Sequence, residues 1–324
     1  PAVQAAREAA RRNQCSTNVA QLARALQMHH DAMGEYPGYI NAFGGFGGGY
    51  GNKTRAPWVV YTFPHLEQSA LYDQWREPVY NAFSYVETLV CPSNPPSSKG
   101  RGNLAYVANC GHWMDLTADG EVGEVAADGM FFNRSRRADH ANPETLGAAD
   151  KFDGENAHAD APEIVMSMAY IQARGDGTTG TLMLSESLRT VRYGYAGEPS
   201  PQPDEYSDQS DEKYHFGFTW VQPKHTIGID QLSHRDFFRI NGQDSASVYN
   251  GVSEMTELDG FPSSNHNSGV NAAFAAGQVR FLREDIDPVV YCQLMTTSHK
   301  ESTLRDPQFI NRDAKMRQPT DEQY

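Results

Sequence analysis

Eleven histidines and four cysteines are the side chains of this 324-residue chain best suited to metal binding or nucleophilic chemistry. Their spacing is unhelpful for either. His29 and His30 are adjacent, so on a helix their rings diverge, and no second pair stands at i and i+4. His30 and Asp31 read instead as residues that close a helix C-terminus. His112, His140, His158, His215, His225 and His234 are scattered with no ligand spacing. Cys15, Cys91, Cys110 and Cys292 form no Cys-x-x-Cys pair, which excludes a zinc ribbon or a thioredoxin-type motif. An even count fits two disulfides or four buried thiols equally. Ser185 and Ser187 flank Glu186 without a Gly-x-Ser-x-Gly elbow, so serine hydrolysis has no support. Asp204, Glu205, Asp208, Asp211 and Glu212 supply oxygen ligands but lack the calcium-loop spacing, and read as a solvated loop. No catalytic constellation emerges. The expectation is a protein that is not an enzyme and carries no cofactor or metal.

The elements that would position these groups divide the chain unevenly. Residues 2–33 contain no glycine or proline, and Val19, Leu22, Leu26 and Met33 fall on one helical stripe. Gly34 and Pro37 then stop the helix. Its first half sets Arg7, Arg11 and Arg12 against a single Glu8, which fits a solvated face or a segment beside anionic headgroups. Beyond it come short segments with frequent turns. Residues 43–51 form a glycine-rich loop without the features of a phosphate-binding loop. Residues 136–163 read as a surface insertion, and residues 270–282 as a hairpin turning at Ala276 and Gly277. These features predict an α+β fold, a long N-terminal helix packed on an antiparallel sheet with large loop insertions. They divide it into a helix at 1–35, a β-rich globular part at 36–303 and a polar tail at 304–324. The net charge of −14 argues against nucleic acid as a partner, and no stretch approaches eighteen apolar residues.

Several segments resemble, in fixed order, the motifs of one known family. The start, PAVQAAREAARRNQC, followed by His30, Asp31 and Pro37, looks like that family's opening after its prepilin-type cleavage and methylation signal. WVVYTFPHLEQSALY, with Glu67, is similar to a second motif, and LVCPSNP, with Cys91, to a third. DGTTGTLMLSESL, with Asp176, Gly177 and Glu186, resembles a fourth. SSNHNSGVNAAFAAGQVRFL, with Asn265, His266 and Gly277, resembles the family's His, nine residues, then Asp-Gly. The family's aspartate falls at Ala276 here. An Asp-Gly pair favours a type I′ turn, so the hairpin is expected to persist with another turn type.

Together these segments resemble a large bacterial family of pilin-like proteins often called DUF1559, and the resemblance implies a pilin or pseudopilin-like structural subunit of a filament or secretion-type surface assembly. Such a subunit self-associates, or joins related subunits, through its N-terminal helix. In the family an apolar membrane-spanning segment precedes the PAVQAARE stretch. The implied location is therefore extracytoplasmic, anchored in the inner membrane before assembly and then at the cell surface. The alternative is an anchored module that binds ligands or glycans through an aromatic cleft around Trp58, Trp75, Trp113 or Trp220. An extracytoplasmic home favours oxidised cysteines. Because the family pattern carries both Cys15 and Cys91, the resemblance implies their pairing, with Cys110–Cys292 second and Cys91–Cys110 not excluded.

Overall fold

The computed structural model describes residues 2–43, 54–76, 84–96, 102–112, 125–134, 164–188, 190, 193, 216–220, 240–241 and 262–302. The acidic loop, most of the glycine-rich loop, the 136–163 segment and the polar tail lie outside the described residues.

Helix α1 runs Ala2–Met33, as the absence of helix breakers dictates. It ends where Gly34 takes the left-handed conformation, φ +79°, and donates its N–H to the His30 carbonyl at 2.7 Å. Its buried face is Cys15, Asn18, Val19, Leu22, Ala23, Ala25 and Leu26, at helical three- and four-residue spacing. Full burial of Val19, Leu22 and Leu26 contributes about 2 kcal/mol each. Met33, expected on the same stripe, is 64% exposed. His30 is the last inward side chain, stacking on Tyr36 at 4.7 Å and accepting the Met168 N–H at 3.0 Å. Residues 2–14 are different: all but Glu8 and Arg11 are exposed.

Among the described residues eight strands follow: β1 Ile40–Phe43, β2 Thr54–Pro57, β3 Tyr106–His112, β4 Asn133–Arg134, β5 Leu182–Glu186, β6 Gly217–Trp220, β7 Gly269–Phe274 and β8 Val279–Arg283. The described residues also hold the short α-helices α2 Ser69–Arg76 and α3 Met168–Ala173 between strands and α4 Pro288–Met295 after β8. A 3-10 segment spans Trp58–His65. The larger sheet has the order β6-β3-β5-β7-β8. Its pairings are antiparallel except for β6, which lies parallel to β3. A second sheet, β2-β1-β4, again mixes antiparallel and parallel pairs. The fold is thus α+β as expected, with mixed rather than purely antiparallel sheets.

The larger sheet is buried on both faces, and strand alternation decides which side chain joins which core. Tyr106, Ala108 and Cys110 of β3 and Ala273 of β7 share one core with Val19, Leu22 and Leu26 of α1. Val107 of β3 and Val270, Ala272 and Phe274 of β7 face the other way, onto Tyr291, Cys292, Leu294 and Met295 of α4. Asn109 is buried in β3, and its side-chain amide donates to the Leu182 carbonyl at 2.8 Å and the Met295 carbonyl at 2.6 Å. It thereby ties α4 to the sheet.

The β7–β8 hairpin closes with Gly277 at φ +88° and its N–H on the Phe274 carbonyl at 2.8 Å. Ala276 keeps a negative φ, so the turn is not type I′, and the single left-handed residue is the glycine. The hairpin tip docks on α1 through Gln27, whose amide donates to the Ala275 carbonyl at 2.9 Å.

Candidate functional site

Cys15 and Cys91 form a disulfide with Cα atoms 5.2 Å apart. It fastens α1 to the loop after Val90 at the residue where the helix passes from its exposed half to its buried half. A second tie lies one turn further on, where the Asn18 amide donates to the Val90 carbonyl at 3.0 Å. The expected Cys110–Cys292 pairing is incorrect. Both are buried thiols, but Cys110 belongs to the core on the α1 side of the sheet and Cys292 to the core beneath α4. A disulfide needs Cα atoms within about 7 Å, less than the thickness of a sheet with a layer on each side.

Against the disulfide lies a cluster that the spacing of histidines in the sequence does not reveal. His266 occupies the loop before β7, fixed by its N–H on Ser264 Oγ at 3.0 Å, while Ser264 Oγ donates to the Gly269 carbonyl at 2.7 Å. Asn265, its neighbour, donates its side-chain amide to the Ser93 carbonyl at 2.8 Å, which binds this loop to the Cys91 loop. The His266 ring has a carboxylate on each side. Nδ1 lies 2.7 Å from Glu8 Oε1 and Nε2 lies 3.2 Å from Glu186 Oε1. Cys91 Sγ is 3.6 Å from the same Nε2. Glu186, at the end of β5, also accepts the Asn271 backbone N–H at 2.7 Å on Oε2 and the Asn271 side-chain amide at 3.1 Å on Oε1. Glu8 is held from the other side by Arg11, whose Nε and Nη2 both reach Oε2, at 2.9 and 2.6 Å, and by the Ser93 hydroxyl at 3.2 Å.

These contacts set the protonation. Burial would push His266 down, but hydrogen bonds to Glu186 and Glu8 and their negative charges outweigh it and hold the imidazole above its ordinary 6.5. For Glu8, burial acts upward, and the hydrogen bonds from His266, Arg11 and Ser93 reverse it, leaving the carboxyl below its ordinary 4.5. An imidazolium donating to both carboxylates is the state that satisfies this geometry. The linkage is two-sided. His266 contributes stability that is full below about pH 6.5 and is lost as pH rises through its elevated folded value. Glu8 contributes stability that is full above about pH 4.5 and is lost as pH falls. The difference in urea midpoint between the oxidised protein and its His266→Gln variant is therefore expected to be largest between pH 4.5 and 6.5 and to shrink on both sides. A difference that grows above pH 7 would contradict the assignment.

The remaining residues carried by the resemblance are distributed over the fold. Asp176 accepts the His299 N–H at 2.7 Å and the Thr296 hydroxyl at 3.3 Å, and pairs with the His299 ring, anchoring the segment after α4. Gly177 is left-handed at φ +86°, Glu67 takes a positive φ of 60° in the turn after the 3-10 segment, Asp31 is exposed, and Pro37 is buried. Gly277 and Ala276 are at the far end of β7 from His266. Six strand residues separate them, about 20 Å. The nine-residue spacing is therefore the length of a strand, and the alanine at 276 changes the hairpin tip, not the surroundings of His266. Of the aromatic residues proposed for a cleft, Trp58 and Trp75 are in the core and Trp113 lies outside the described residues, while the backbone of Trp220 forms part of β6. Sequence reasoning missed Glu8 as a partner of His266; its one signal was that it is the lone acid in a basic helical segment. Among the described residues no helix is long and apolar enough to cross a membrane.

The family described as "Protein of unknown function (DUF1559)" matches residues 4–289 of the chain. No curated protein and no solved structure matches it.

Proposed function

The chain belongs to the DUF1559 family, and from that premise we propose that it is a non-catalytic, pilin- or pseudopilin-like structural subunit of an extracytoplasmic assembly, self-associating through α1. The observation that supports this reading best is the division of α1. Residues 15–26 sink one face into the sheet, whereas residues 2–14 leave most of their surface to solvent. A helix whose first thirteen described residues leave most of their alanine-rich surface to solvent has a face available to copies of itself. The disulfide, the Asn18 bond and the Glu8–His266–Glu186 cluster all hold α1 where these halves meet. A subunit that transmits force through its helix needs its fastening there. The cluster suits fastening better than catalysis, because the imidazole is buried and both its nitrogens are engaged. The burial of Trp58 and Trp75 weighs against the alternative of a glycan-binding module with an aromatic cleft at those positions.

The test uses the complete native polypeptide isolated from its source membrane or surface, examined by electron microscopy and by crosslinking through a cysteine placed at Ala9 or Ala10. Ordered homopolymers or oligomers crosslinked along α1 are expected. A complete protein that stays monodisperse and monomeric without detergent overturns the reading.

A further inference from the structure

We propose that, when the Cys15–Cys91 bond is reduced, the same seam is a binding site for one zinc ion, with Cys15, Cys91, His266 and Glu186 as its ligands. Those four side chains come from α1, the loop after Val90, the loop before β7 and the end of β5. All are buried, and one ligand atom of each lies within 4.8 Å of the others. The chemistry of the set fits zinc: two thiolates, an imidazole and one carboxylate are borderline-soft donors, whereas calcium and magnesium take all-oxygen shells.

The distances already match a tetrahedron in the part of the site that reduction does not change. With zinc bonds of about 2.0 Å to nitrogen and oxygen and 2.3 Å to sulfur, tetrahedral edges are about 3.3 Å for N···O and about 3.5 Å for N···S. The observed separations from His266 Nε2 are 3.2 Å to Glu186 Oε1 and 3.6 Å to Cys91 Sγ. The two sulfurs must part, to about 3.8 Å, once the covalent bond is gone, and the other separations in the set all lie within 4.8 Å.

The surroundings are those of a prepared ligand set. Glu8 receives His266 Nδ1–H at 2.7 Å, which fixes the tautomer that aims the Nε2 lone pair at the centre. Arg11 and Ser93 hold Glu8 in turn. The Asn271 N–H restrains Glu186 Oε2, and the Asn271 side-chain amide at 3.1 Å restrains Oε1 while leaving it a second lone pair for the site. A disulfide requires none of these contacts; a histidine ligand ordinarily has such a partner. The chemistry balances simply. A dithiol or phosphine supplies two electrons, the S–S bond breaks, and two protons complete the thiols. Zn(II) binding then releases both thiol protons and the Nε2 proton of the His266 imidazolium to solvent as the Zn–S and Zn–N bonds form. Disulfide and metal are thus mutually exclusive ways of closing one seam, and the metal would hold α1 in a chain not yet oxidised. The proposal does not depend on the assembly reading, and neither test bears on the other.

The experiment takes the whole 324-residue chain, reduced with a phosphine and stripped of metal, and titrates it with Co(II) and then Zn(II). The expected result is one equivalent of cobalt with thiolate-to-cobalt charge-transfer absorption, displaced by zinc. The oxidised protein should take up none. X-ray absorption of the zinc form should show two sulfur neighbours at about 2.3 Å and two nitrogen or oxygen neighbours at about 2.0 Å. Glu8→Ala, which replaces none of the four ligands, should weaken zinc binding 10- to 100-fold while leaving the sulfur count at two, through loss of the tautomer lock on His266. If the reduced chain loses its near-ultraviolet dichroism, cobalt is added during refolding instead. No cobalt uptake under either protocol, equal uptake by oxidised protein, or a zinc shell without two sulfurs overturns the proposal.

Discussion

Replacement of Glu186 by alanine is expected to destabilise the oxidised protein by about 3–5 kcal/mol, read as a large fall in the urea midpoint at pH 6. The size follows from what loses its partner. Glu186 is 1% exposed and accepts three hydrogen bonds, from the Asn271 backbone, the Asn271 side chain and the His266 ring. Alanine leaves a buried N–H without an acceptor and an imidazolium with one counter-charge where it had two. Removing one partner from a buried ionic cluster costs more than the cluster itself contributes, because the survivors remain desolvated. Glu186→Gln keeps an oxygen for Asn271 and should cost roughly half as much, at the low end of the charged hydrogen-bond range of about 1.5–3 kcal/mol. Glu8→Ala removes a carboxylate with a third of its side chain in water and should cost about 1 kcal/mol. The order Glu186→Ala, Glu186→Gln, Glu8→Ala is the content of the prediction. A Glu186→Ala change below 1 kcal/mol would show that the cluster does not fasten the sheet to α1.

How much of this was legible depended on the range of the interaction. The whole of α1 could be read because its cause is local: thirty-two residues without a breaker, then Gly34 and Pro37. The β7–β8 hairpin was legible for the same reason, and the failure of Ala276 to support a type I′ turn correctly pointed to a different turn. The Cys15–Cys91 bond came through the resemblance and not through spacing, since 76 residues separate the two. Cys110–Cys292 failed because strand parity, which places residue 110 with 106 and 108, settles nothing about a helix on the opposite face until the sheet order is known. The second sheet and the two-sided burial of the first were likewise invisible in any short window. Glu8 and His266 are 258 residues apart, and neither sits in a spacing that favours the other. The charge pattern marked Glu8 as the exception in a basic segment, but only the fold says what it is an exception for.

Opening the Cys15–Cys91 bond, in metal-free buffer, is expected to lower global stability by roughly 4 kcal/mol. The bond closes a loop of 76 residues, and the chain entropy it removes from the unfolded state sets that figure. The effect should appear in Cys15→Ser, in Cys91→Ser and in the reduced protein alike, since each frees the same loop. The local signature separates this bond from any other stabilising contact. Cys15 marks the start of the buried face of α1, so its release leaves non-covalent ties near that point, among them the Asn18 bond, the Glu8–His266 pair and Arg12 over the Phe281 ring. Amide exchange should therefore accelerate first in residues 15–22, ahead of the β3–β5–β7 core, because opening the helix end no longer has to break a covalent link. Adding zinc to the reduced protein should recover part of the loss if the same side chains take the ion, by RT ln(1 + [Zn]/Kd) at free zinc above Kd. Equal midpoints for oxidised and reduced protein without metal would mean that the apolar face of Val19, Leu22 and Leu26, with the Asn18 and Glu8 ties, secures the helix without the bond. In that case a helix pulled at residues 2–14 would resist peeling by non-covalent contacts, which yield one turn at a time, and the covalent fastening would have no mechanical role.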